Sequence, residues 1–147
     1  MSYTRNTLRT LAAASIFTIA SIAAHASTIN FKADLKSSSE VPANDSKGAG
    51  SLTADLNTET HILTYHAEFN DLSGPATAAH FHGPAAVGVN SKPQVIIKTK
   101  PVTSPIEGTA KLTPEQEKDL LAGQWYFNVH TAQNPGGEIR GQVEKSE

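Results

Sequence analysis

Ile29-Asn30-Phe31-Lys32-Ala33-Asp34-Leu35 alternates apolar and polar residues without a break. Successive side chains of an extended strand point to opposite faces, so Ile29, Phe31, Ala33 and Leu35 share one face and the polar residues the other, as in a half-buried strand. Working outward, the same period recurs. Ser51 to Leu56 and Ile62 to Phe69 flank the turn-like Asn57-Thr58-Glu59-Thr60 and predict a β-hairpin. Ala78 to His82, Val95 to Thr99, Ile106 to Leu112, Gln124 to Thr131 and Glu138 to Val143 predict further strands. Breakers such as Ser73-Gly74-Pro75 and Asn134-Pro135-Gly136-Gly137 separate them. One helix interrupts the pattern, over 114–122. Thr113 stands as its N-cap, Pro114 at its first position, Gln116 completes a capping box, and Gly123 is placed to end it. Seven or eight short strands with turn signals between them predict an all-β, Greek-key β-sandwich.

The 147 residues begin with a different composition. Arg5 and Arg9 precede an apolar, small-residue run from Leu11 to Ala24, and Ala24-His25-Ala26 is a small-x-small cleavage pattern. That order predicts a signal peptide over 1–26, a run too short for the roughly 20 residues of a spanning helix, and a folded domain over 27–147. Cleavage after Ala24 would instead leave His25 as an amino-terminal copper chelator, but Ile22 is a poor residue three before that cut. The expected location is the periplasm or the exterior. With 12 Lys+Arg against 14 Asp+Glu and no basic cluster, nucleic acid and an anionic membrane surface are poor partners. Cysteine is absent and Met1 is the one methionine, so disulfides, thiolate zinc and blue-copper sites are excluded.

The chemistry concentrates in Ala79-His80-Phe81-His82-Gly83 and Asn128-Val129-His130-Thr131. His80 and His82, at i and i+2 of a strand, share a face about 6–7 Å apart, while Phe81 points the other way. His130 on a second strand would complete a three-histidine metal site, with Asn128 beside it to orient a ligand. His66 shares an outward face with Glu68 and is either a surface residue or a fourth ligand; His61 reads as solvated. Glu138 and Arg140 share a strand face, as an ion pair or as part of an active site. Trp125, Tyr126 and Phe127 read as core and sheet edge. Neutral imidazoles suit copper and zinc, the Irving–Williams order favours copper, and binding should fade as pH drops through the histidine range near 6.5.

Phe31-x-Ala33-x-Leu35, Glu40-Val41-Pro42, Ala78-Ala79-His80-Phe81-His82-Gly83-Pro84-Ala85, Leu121-x-Gly123-x-Trp125-Tyr126-Phe127-Asn128-Val129-His130-Thr131 and Pro135-Gly136-Gly137-Glu138-Ile139-Arg140-Gly141-Gln142 together resemble the CHRD domain. This family is named after chordin and occurs alone in many bacterial secreted proteins. The resemblance covers nearly all of the chain beyond the leader and implies an immunoglobulin-like sandwich; it implies no defined activity. Phe81 departs from the family's usual aliphatic residue. More loosely, His-x-His followed by Val-His is similar to the copper half of the Cu,Zn superoxide dismutases. That likeness implies His80, His82 and His130 as copper ligands and Arg140 as the arginine that guides superoxide. No histidine or aspartate lies between Gly83 and Thr113, so such a site would lack the zinc half. Two functions follow as expectations: a copper protein, with superoxide dismutase-type turnover if it is an enzyme, or a non-catalytic interaction module whose histidines are structural.

Overall fold

The computed structural model describes residues 27–146. Eight strands and one helix follow in order: β1 (Thr28–Lys36), β2 (Ala49–Asn57), β3 (Ile62–Asn70), β4 (Ala76–His82), β5 (Pro93–Ile96), β6 (Ile106–Lys111), α1 (Pro114–Leu121), β7 (Trp125–Thr131) and β8 (Ile139–Lys145). The strands form one antiparallel sheet in the order β5-β4-β7-β8-β1-β2-β3-β6. All-β architecture with one short helix is thus as expected. The sandwich takes the form of two four-stranded halves joined along the β8–β1 seam, and the chain crosses between halves at β3–β4, β5–β6 and β6–β7. The signal peptide expected over 1–26, with His25, lies outside the described residues.

Alternation explains what each half contributes to the interior. Phe31, Ala33 and Leu35 of β1 face Leu52, Ala54 and Leu56 of β2 and Leu63, Tyr65 and Ala67 of β3, all buried. Opposite them lie Ala79 and Phe81 of β4, Trp125, Phe127 and Val129 of β7, and Ile139 and Val143 of β8. Tyr65 and Phe81 meet across the core, 5.3 Å between ring centroids, and Phe81 packs on Phe127 at 4.8 Å. Burying a large apolar side chain contributes about 1.5–3 kcal/mol, so this shared interior is the main force holding the halves together. The seam is tight at Gly141, where a Cβ would lie 2.4 Å from the Asp34 carbonyl oxygen.

Helix α1 begins as its capping box requires. Thr113 Oγ1 accepts from the Gln116 amide and Gln116 Oε1 from the Thr113 amide, and Gly123 follows at φ +70°. β5 is earlier and shorter than the Val95–Thr99 expected. Pro93 opens it, the register shifts between Phe81 and His82, and beyond Ile96 only the Ile97 amide still reaches back, to the Ala79 carbonyl.

Candidate metal centre

β7 departs from half-burial. Trp125, Phe127 and Val129 enter the core, yet Tyr126, Asn128 and His130 on the opposite face are buried as well. Loops fold over that outer face. Glu40 comes from the loop after β1, residues 83–91 from the β4–β5 connection, and Pro135 from the β7–β8 turn. Buried polar groups must be paired, and the space beneath these loops is filled by a polar cluster.

His80, His82 and His130 are brought together as expected. In the β4–β7 ladder Ala78 stands opposite His130, His80 opposite Asn128 and His82 opposite Tyr126, so the third imidazole lies diagonally across from the first. One ligand atom from each of the three histidines lies within 4.8 Å of the others. His80 Nδ1 is 3.1 Å from His130 Nε2. His130 Nδ1 donates to the Pro135 carbonyl at 3.0 Å, and His82 Nδ1 to the Ser91 carbonyl at 2.8 Å. A carbonyl only accepts, so these two contacts fix the Nδ1–H tautomers and leave both Nε2 lone pairs facing the cluster. His82 Nε2 is fully buried with no hydrogen-bond partner.

All three imidazoles are held neutral. Burial lowers His80 to about 4, helped by the nearby His130, His82 and Lys100. His82 is lowered first by burial and then by His130, with the Ser91 carbonyl and the Asn128 side chain opposing; His130 is lowered by burial against the Pro135 carbonyl. Neutral, convergent imidazoles, two of them with carbonyl-fixed tautomers, are the kind of donor set a borderline metal ion needs.

Arg140 lies near the cluster but beneath its roof, 2% exposed. Its guanidinium donates to Asn90 Oδ1 at 2.9 Å and to the Val89 carbonyl at 2.7 Å, and its Cζ sits 3.4 Å from the Tyr126 ring centroid. Tyr126 in turn stacks on His82, centroids 4.7 Å apart and 1° from parallel, while its hydroxyl accepts from the Ser91 amide. Arg140 therefore clamps the loop that carries Ser91. Glu138 does not pair with it. That carboxylate accepts from Ser46 Oγ at 2.5 Å, the Ser73 amide at 2.6 Å, Ser73 Oγ at 2.5 Å, Asn134 Nδ2 at 3.1 Å and Thr131 Oγ1. Burial raises its pKa, but the Ser46, Ser73 and Thr131 donors outweigh burial and hold it at about 2. It ties three loops together.

His66 is not brought to the cluster. It stands on the outer face of β3, with Nδ1 3.1 Å from Glu107 and Nε2 3.2 Å from Glu68. His61, read as solvated, binds Glu117 of α1 at 2.5 Å. Glu40 is 6% exposed and accepts from Asn128 Nδ2 at 3.3 Å. Nothing in its local sequence marks it for this contact beyond the family-like Glu40-Val41-Pro42 stretch.

The CHRD domain family model matches residues 31–143, and the chain belongs to that family. No curated protein and no solved structure matches it. Among the described residues no helix is long and apolar enough to cross a membrane.

Proposed function

We propose that this CHRD-domain chain is an exported metal-binding protein that holds one copper ion on His80 Nδ1, His82 Nε2 and His130 Nε2. The observation that carries the reading is the buried, unpartnered lone pair of His82 Nε2 beside two further convergent imidazole nitrogens. An orphaned buried acceptor costs about 1–3 kcal/mol, and a cation at the centre of the three relieves it. Neutral imidazoles suit both copper and zinc, and the Irving–Williams order favours copper.

Binding is better supported than turnover. Arg140 is 2% exposed and donates to Val89 and Asn90 of the covering loop, so a superoxide-guiding role would require that loop to release it. The interaction-module reading draws on the same loop, whose tip exposes Val87 (75%) and Val89 (52%). Metal analysis of untagged protein purified from the periplasm separates the two. One copper per chain, lost in His82→Ala, is the expected result; native protein that neither carries nor titrates copper overturns the metal reading in favour of the module.

A further inference from the structure

Asn128 presents a conflict that no arrangement of protons in a neutral cluster removes. Its Oδ1 lies 2.9 Å from His130 Nε2. The other nitrogen of that ring, Nδ1, lies 3.0 Å from the Pro135 carbonyl oxygen. A neutral imidazole carries one proton, and here two acceptor oxygens flank it. Once Nδ1–H serves Pro135, the Nε2 lone pair can accept only from His80 Nδ1, 3.1 Å away, and the Asn128 oxygen still faces that nitrogen without a donor of its own. Turning the amide over would place an NH₂ group against Nε2, but Glu40 stands in the way. Its carboxylate oxygen lies 3.3 Å from Asn128 Nδ2 and can only accept, so it draws the NH₂ end to itself and sends the oxygen to the histidines. Room for this contact exists because residue 137 is glycine: a Cβ there would sit 2.2 Å from Glu40 Oε1 and 2.7 Å from Asn128 Nδ2.

We infer that the side-chain oxygen of Asn128 is a fourth ligand of the ion, and that Glu40 is the positioning residue that turns this oxygen toward the three histidines. The inference rests on the metal reading above and completes its donor set. A cation bound to both Nε2 and Oδ1 replaces the missing proton. With bonds of about 2.0–2.2 Å to each, a 2.9 Å separation corresponds to an angle near 90°. Three imidazole nitrogens and one amide oxygen make a four-donor set that suits Cu(II). Asn128 is 2% exposed, so the oxygen is a built part of the site.

The test titrates Cu(II) into the untagged chain and records its paramagnetic resonance spectrum, with far-UV circular dichroism confirming that each variant folds. Asn128→Ala is expected to weaken copper binding roughly 10–100-fold and to change the spectrum; isosteric Glu40→Gln, which frees the amide to turn, is expected to weaken it about tenfold. Asn128→Asp combined with Glu40→Gln should restore at least native affinity, because a carboxylate offers an oxygen whichever way it turns. If native protein binds copper and His82→Ala abolishes binding, but Asn128→Ala matches native in affinity and spectrum, the fourth ligand is refuted and the three-histidine reading survives. A double variant as weak as Glu40→Gln alone refutes it equally. Native protein that binds no copper takes both readings down together.

Discussion

On β1, β2, β3 and β6 the side chains that point away from the core include Lys32, Asp34, Thr53, Asp55, Thr64 and Glu107, and they stand in solvent. On β7 the equivalent positions are Tyr126, Asn128 and His130, as buried as the core itself. Both halves obey one alternation. They differ because loops cover the outer face of one and leave the other bare. A bare face needs only polar residues, which water satisfies. A covered face must satisfy every donor and acceptor from within, and carbonyls of Ser91 and Pro135, the Glu40 carboxylate and the Arg140 guanidinium do this around the imidazoles. The His82 nitrogen left without a partner therefore points to a ligand.

The largest expected effect comes from the interior the halves share. Phe81 contacts Tyr65 of one half and Trp125 and Phe127 of its own. Phe81→Ala should cost about 3–5 kcal/mol, and chemical denaturation should show one transition for both halves. Two separated transitions would mean that the halves are independent units and that the seam between β1 and β8 does not join them.

Next in size is a backbone change confined to the covered half. Gly137 has φ +132°, and a Cβ there would press on Glu40. Gly137→Ala should cost about 2–3 kcal/mol and weaken copper binding, whereas Thr64→Ala on the bare face should stay within about 0.5 kcal/mol. Equal losses from both would erase the distinction between the faces.

This contrast marks where the sequence stops being informative. The strands were legible because period two is a direct consequence of extended geometry, and the helix because its cap residues are side chains. Convergence of His80, His82 and His130 was foreshadowed by His-x-His spacing, although only the β4–β7 register could place His130. The roof was not legible. Ser91 and Pro135 act through backbone carbonyls, which every residue carries, and Glu40 reaches Asn128 across 88 positions. Glu138 and Arg140, two apart on the sequence, invited an ion pair. One points to a nest of hydroxyls and the other to a loop, because Glu138 precedes β8 and does not share its pleat.

Acid should act on the covered half in two stages. Each site histidine takes a proton less readily folded than unfolded, so between the ordinary 6.5 and the folded value, about 4 for His80, the unfolded chain holds more protons. Metal-free stability is therefore full above about 6.5 and falls as pH drops through that window. Glu138, lowered from 4.5 to about 2, adds a second loss below 4.5. Copper should likewise persist to lower pH than the 6.5 expected of unperturbed imidazoles, since burial keeps the ligands neutral. Melting curves across this range check the order; His80→Gln should flatten the upper stage and leave the lower.

The smallest effect, and the sharpest separation of the two faces, belongs to His66. Glu68 first and Glu107 second raise its pKa, the opposite sign to the site histidines. Its share of stability is thus present below 6.5 and lost as pH rises through its folded value, and solvent screening keeps that share small. Imidazole resonances followed by NMR should show His66 titrating above 6.5 while His80 titrates near 4. His66→Ala should leave copper affinity unchanged, since both of its nitrogens face carboxylates on the bare half. If His66→Ala abolished copper binding while His82→Ala left it intact, the ion would have to be held on the outer face of β3, and the covered cluster would revert to a structural role.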